Sequence, residues 1–293
     1  MIPEHVMREL RYIEVVTARR VRNMRLGAST SPQRGAGFDF NEHQPYREGD
    51  DVRRIDWNVT ARLNAPFVRH MHEDRELNAM IAIDVSRSME LGAAHRSKKE
   101  LMTLITGSLL FSALSDHINV GFLAFADRVL EYQPPRRTRA AAWTILERCW
   151  ALAPARGATA LAPAVRYLVS VLKRTSVVFL VSDFITDEDI FAGHDLTMLA
   201  ARHDVIAVVP QDATEASLPP GRGYVQVRDL ESGRRAMVTL SPGTRRDFAD
   251  QMRRRRDALA EAFYRVPMDH VFVPTDGSPA EALMELFAAR MAR

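Results

Sequence analysis

One cysteine in 293 residues, Cys149, excludes an internal disulfide, which fits a reducing compartment. No export signal is expected at the start of the chain, because Glu4, Arg8 and Glu9 interrupt the first ten residues, where a secretory sequence needs an apolar stretch. The longest uncharged run, Leu101 to Ser115, contains Thr103, Thr106, Gly107, Ser108 and Ser112. It falls short of the ~20 apolar residues of a membrane span and reads as a buried helix. A cytoplasmic protein without membrane contact is the expectation. Charge of one sign is scarce as well, since 40 basic and 37 acidic side chains leave a net +3, so composition gives no push toward nucleic acid. No repeat of ~20–50 residues recurs. No Gly-x-x-x-x-Gly-Lys-Ser/Thr loop is present, so the chain brings no phosphate cradle of that type.

With 46% hydrophobic and 26% charged residues, the sequence suits a soluble globular protein with one large core and a smaller appended region. From residue 77 onward short apolar runs alternate with helical stretches, the pattern of a largely parallel sheet covered by helices. Strands are expected at Leu77–Val85, Ile118–Ala126, Ser176–Val181, Val205–Val209 and Val271–Val273, with an extended segment at Val129–Tyr132 ending at a Pro134-Pro135 break. Helices are expected from the Ser97-Lys98-Lys99-Glu100 capping box to Leu114, over Thr138–Leu152, from Gly157-Ala158-Thr159 to Leu172, and over Leu196–Arg202, Thr244–Tyr264 and Pro279 to the end. Tyr224–Val227 and Ala236–Leu240, around Glu231-Ser232-Gly233, predict a hairpin inserted at about residues 222–241. Residues 1–76 read as an N-terminal extension: a helical segment from Glu4 to about Leu26, a Gly/Ser/Pro loop over Gly27–Gly37, then a dense polar block. Residues 77–293 form the main domain.

Three short stretches carry chemistry: Asp84-Val85-Ser86-Arg87-Ser88-Met89, Gly157-Ala158-Thr159 and Ser182-Asp183-Phe184. Each lies where a strand or loop feeds a helix, and in open α/β sheets ligands gather beyond the carboxyl ends of strands. Alternate residues of an extended Asp84-x-Ser86-x-Ser88 segment face one side. Two carboxylates and three hydroxyls make an all-oxygen set suited to Mg²⁺ or Mn²⁺ rather than zinc or copper. Asp84 and Asp183 neutralise a divalent ion, while Ser86, Ser88 and Thr159 add no charge, so the ion still attracts an acidic group from outside. That favours docking over hydrolysis. Taken singly, each piece also reads as a helix cap or a turn residue.

The Asp84-x-Ser86-x-Ser88, Thr159 and Asp183 pattern resembles the metal-ion-dependent adhesion site of von Willebrand factor A domains. The resemblance implies a doubly wound, mostly parallel sheet with helices on both faces and one short antiparallel edge strand. Arg87 departs from the small residue that some adhesion receptors carry there. Upstream, Gly37-Phe38-Asp39-Phe40 and the run from Tyr46 to Arg62, with Arg47-Glu48-Gly49-Asp50-Asp51-Val52-Arg53-Arg54-Ile55-Asp56-Trp57 at its centre, are similar to the signature of the bacterial domain of unknown function 58 family. That likeness covers nearly the whole chain. It implies a partnership with MoxR-type AAA+ ATPases in chaperone-like or maturation work. Physically, the block offers a turn and N-cap at Gly49-Asp50-Asp51, an apolar helix face of Val52, Ile55 and Val59 with Trp57 as an anchor, and mutual ion pairs between Arg53, Arg54 and Arg62 and the interleaved Asp50, Asp51 and Asp56.

Other candidates carry less. His70 and His72 with Glu73 have no second ligand cluster. Cys149 lies in an apolar helical pattern and reads as a packed thiol. The Arg253-Arg254-Arg255-Arg256 run spreads around a helix whose stripe is Phe248, Met252, Leu259 and Phe263, so it reads as a solvated face with local ion pairs such as Asp250 or Asp257 to Arg254. The expected function is a non-enzymatic interaction module in which a partner's Asp or Glu completes the coordination of the ion. The rivals are a metal-dependent hydrolase at the same site and a polyanion binder through Arg253–Arg256.

Overall fold

Helix α1 (Glu4–Arg20) places Val6, Leu10 and Ile13 along one stripe, and all three are buried. Leu10 is seated so closely on Gly107 that a Cβ at residue 107 would lie 2.3 Å from its Cδ2. The computed structural model describes residues 2–20, 39–47, 50–63, 65–72, 77–90, 92–93, 96–154, 159–186, 188–228 and 234–292. Expectations for Gly27–Gly37, Glu48-Gly49, Glu73, Gly157-Ala158 and Glu231-Ser232-Gly233 lie outside the described residues. Two compact units are distinguished, Ala28–Glu76 on the one hand and Met1–Gly27 with Leu77–Arg293 on the other. The expected single extension over residues 1–76 is thereby divided, because the buried stripe of α1 makes it part of the main core.

In the smaller unit, β1 (Asp39–Pro45), α2 (Trp57–Leu63) and β2 (Phe67–His72) follow in order, with β1 and β2 antiparallel. The apolar helix face expected of Val52, Ile55 and Val59 is divided. A 3₁₀ turn covers Val52–Arg54, Ile55 bridges to Val68, and α2 begins only at Trp57. Val52 and Trp57 are exposed. The carboxylates of the block act as local caps: Asp50 accepts from Arg47 N, Asp51 from Arg53 N, and Asp56 from Asn58 N and Val59 N.

The main unit continues through β3 (Asn78–Asp84), β4 (Gly92–Ala93), β5 (Arg96–Ser97), α3 (Lys98–Ser115), β6 (Asn119–Phe125), β7 (Val129–Arg136), α4 (Arg139–Ala151) and α5 (Leu161–Val171). It is completed by β8 (Ser176–Val181), α6 (His194–Arg202), β9 (Asp204–Gln211), α7 (Ala213–Ala216), β10 (Gly223–Arg228), β11 (Arg235–Leu240), α8 (Pro242–Arg265), β12 (Asp269–Pro274) and α9 (Pro279–Met291). Six strands form one sheet in the order β12-β9-β8-β3-β6-β7; β7 is antiparallel to β6 and the other neighbours are parallel. β10 and β11 pair as the inserted hairpin.

Alternation along β3 shows how both faces are covered. Ala79, Ile81 and Ile83 join a core built with α1, α3, α4 and α9, whereas Met80 and Ala82 join a second core built with α5, α6 and α8. The sheet is doubly wound, as the sequence pattern implies. α3 is apolar nearly all round and accordingly buried over most of its length, with the Ser97/Glu100 capping box in place.

A further expectation is corrected. Pro134 and Pro135 do not break the chain but lie inside β7. Their missing N–H groups are tolerated because β7 is the edge strand and its pairing slips between Phe122↔Gln133 and Val120↔Arg136. Gly121 faces that bulge, where a Cβ would meet Met80 Cε at 2.5 Å and Gln133 O at 2.9 Å.

Candidate metal centre

β3 ends at Asp84 and its neighbour β8 ends at Val181, one residue before Ser182-Asp183. From β3 the chain crosses to β6 on one side, while β8 continues the sheet on the other. Strand order therefore reverses between β3 and β8, and their carboxyl ends frame the crevice that such a reversal opens.

The five candidate residues all lie at this edge, and none is more than 7% exposed. Asp84 Oδ1 accepts from Ser86 N at 2.8 Å, a turn that folds the Ser86 hydroxyl back toward the strand end. Ser86 Oγ and Ser88 Oγ are 3.0 Å apart. Asp84 Oδ2 accepts from Ser182 Oγ at 2.7 Å, which ties the β3 loop to the β8 loop. Thr159 is drawn in from two directions: Ala160 N donates to Ala126 O beyond β6 at 2.9 Å, and Thr186 Oγ1 donates to Thr159 O at 2.8 Å. Thr159 does not cap its own helix. The N-cap of α5 is Ala160, and the first amides, Leu161 N and Ala162 N, donate to Glu188 Oε2 at 3.0 and 3.1 Å.

Electrostatics distinguish the two carboxylates. Burial, followed by the charge of Asp183, pushes the Asp84 carboxyl from 3.8 up to about 7, although the hydrogen bonds from Ser182 and Ser86 pull the other way. Asp183 instead has a cation. Its Oδ1 accepts from Ile185 N at 3.1 Å, and its Oδ2 accepts from Lys98 Nζ at 3.0 Å. Lys98 Nζ also reaches Glu215 Oε1 at 2.5 Å. Burial alone would favour the neutral amine, yet the charges of Asp183 and Glu215 outweigh it and hold Lys98 in the cationic form. Sequence reasoning missed Lys98 as part of this site, and it gave Ser182, which lies within one of the three stretches, no role of its own. The capping box placed Lys98 at the start of α3, but nothing local announces that its ammonium turns inward.

Among the described residues no group of three or more His, Cys, Asp or Glu side chains is placed to hold a metal ion. A site here would depend on hydroxyls as much as on acids. The remaining candidates behave more simply. Cys149 is buried, and burial pushes its thiol up to about 11. Arg253–Arg256 are exposed on α8, where Arg253 pairs with Asp250 and Arg256 stacks 4.7 Å from the Phe272 ring centroid. The pair forms through Arg253 rather than the expected Arg254. Side-chain placement at His70 and His72 lies outside the described residues.

A doubly wound sheet, one antiparallel edge strand and a polar cluster at the switch point define the von Willebrand factor A-like class. The chain belongs to the family described as "Protein of unknown function DUF58", which it matches over residues 42–258. It is 33% identical over 217 residues to the uncharacterized protein Rv1480 of Mycobacterium tuberculosis, covering 73% of this chain and 68% of that one. In structure it is similar to the conserved hypothetical protein BatB from Bacteroides thetaiotaomicron, with a TM-score of 0.50 and 17% identity over 74% of this chain and 100% of the other. A von Willebrand factor type A structure from Catenulispora acidiphila matches with a TM-score of 0.43 and 12% identity, over 77% of this chain and 44% of that one. No helix among the described residues is long and apolar enough to cross a membrane.

Proposed function

We propose that this protein is a metal-dependent docking module of the cytoplasm, in which Asp84, Ser86, Ser88, Thr159 and Asp183 hold Mg²⁺ or Mn²⁺ directly or through water. The observation that carries the reading is a buried set of oxygen donors gathered at the ends of β3 and β8: Asp84 is enclosed and accepts from Ser86 N and Ser182 Oγ, the Ser86 and Ser88 hydroxyls lie 3.0 Å apart beside it, and burial with the charge of Asp183 pushes its carboxyl up to about 7. Such a donor set fits a hard divalent ion. When bound, the ion supplies a Lewis-acidic point that a carboxylate from another protein can occupy. The chain's own groups do the rest: the carboxylates fix the ion's place, Ser182 orients Asp84, and the hydroxyls contribute oxygen without adding charge.

Family likeness supports a MoxR-type AAA+ ATPase, or its client, as the partner that supplies the Asp or Glu. On this reading the ATPase provides the work and this chain provides the grip. The test is retention of a MoxR-type ATPase on the immobilised chain with Mg²⁺ and with chelator, comparing wild type with Asp84→Ala and Thr159→Ala. Retention that requires Mg²⁺ and is lost in both variants supports docking. Retention unaffected by chelator overturns it, and turnover of a phosphoester or peptide that vanishes in Asp84→Ala would favour hydrolysis instead.

A further inference from the structure

We infer that Lys98 is a positioning residue of the metal centre, whose buried ammonium, held between Asp183 and Glu215, cancels the charge of Glu215 beside the site so that the occupied centre still accepts an acidic ligand. The inference rests on the metal reading above and deepens it.

Lys98 is fully buried, with no exposed surface, a rare state for lysine unless it is paired. It is also the first residue of α3, where Ser97 is the N-cap. A cation there opposes the helix dipole. Burial and the dipole both disfavour a charge at this position, and a well-packed apolar side chain would often be at least as stabilising as the ion pair. Stability of α3 therefore does not explain the lysine. Its partners do: Asp183 Oδ2 at 3.0 Å belongs to the candidate centre, and Glu215 Oε1 at 2.5 Å belongs to α7.

Glu215 is itself anchored. It closes a capping box with Asp212, and Asp212 Oδ2 accepts from Thr275 Oγ1 at 3.0 Å, just past β12. The ammonium is thus fixed from a side of the sheet that contributes nothing to the ion's own donor set. In terms of charge, Lys98 and Glu215 cancel, and Asp84 with Asp183 cancel a divalent ion. An approaching carboxylate then meets a centre with no net charge. Without the lysine it would meet a centre one unit negative, which holds the ion more tightly and repels the ligand.

The test is Mn²⁺ titration of the full chain, followed by electron paramagnetic resonance of free Mn²⁺, in wild type, Lys98→Met, Lys98→Arg and Glu215→Gln. Lys98→Met is expected to bind Mn²⁺ at least about tenfold tighter, and Glu215→Gln about threefold or more weaker. Lys98→Arg should stay within about threefold of wild type. Folded Lys98→Met with unchanged or weaker affinity overturns the inference, because a merely structural lysine weakens binding when it is lost. Should Lys98→Met not fold, Glu215→Gln decides: weaker Mn²⁺ binding at unchanged thermal stability supports the inference, and equal or tighter binding overturns it. A wild type that binds no Mn²⁺ brings down the metal reading itself, and the role of Lys98 with it.

Discussion

Asp84→Asn is expected to make the metal-free protein more stable while destroying its response to metal. The carboxyl is raised from 3.8 to about 7, first by burial and then by Asp183. Between those values the folded chain holds a proton that the unfolded chain has released, so stability falls as pH rises from about 4 to about 7 and stays low above that. At ~1.4 kcal/mol for each unit of difference, ionised Asp84 costs at most about 4 kcal/mol. Asparagine keeps the size and the acceptor for Ser86 N without the charge, at the expense of weaker hydrogen bonds from Ser182 and Ser86. The expected gain is about 1–4 kcal/mol at pH ~8 in chelator, shrinking toward zero at pH ~4.5. Urea unfolding at the two pH values measures it. Saturating Mg²⁺ should stabilise wild type at pH ~8 and leave Asp84→Asn unmoved. An Asp84→Asn protein that is less stable than wild type at pH ~8 in chelator refutes the electrostatic reasoning.

Two further predictions concern the scaffold. Leu10→Ala removes the side chain that fills the space over Gly107, and should cost about 2–5 kcal/mol in urea unfolding, showing that α1 belongs to the main core. Gly121→Ala pushes a methyl group into Met80 and the bulged edge of β7 and should cost about 1–3 kcal/mol. A neutral result at residue 121 would mean that the β6–β7 pairing rearranges freely around the bulge.

Much of the fold was legible because the central strands β3, β8 and β9 are buried on both faces and therefore read as unbroken apolar runs ending in Asp84, Ser182 and Gln211. The three site loops were legible for the same reason, since each follows or precedes a strongly patterned element. Pro134-Pro135 misled because proline signals a break by default, and only the position of β7 at the sheet edge makes the two residues acceptable. Lys98 was illegible on physical grounds: its partners lie 85 and 117 residues away in sequence, and no local periodicity encodes that meeting. In the signature block the acids were expected to pair with neighbouring arginines. Asp50, Asp51 and Asp56 cap backbone amides, as short acidic side chains at turns commonly do.

The most direct measurement is the anomalous signal of Mn²⁺ in crystals grown with the ion. The account predicts one peak between the ends of β3 and β8, within coordination distance of oxygens from Asp84 and the Ser86, Ser88, Thr159 and Asp183 set. Under saturating Mn²⁺, a peak elsewhere on the chain, or no peak at all, would contradict it.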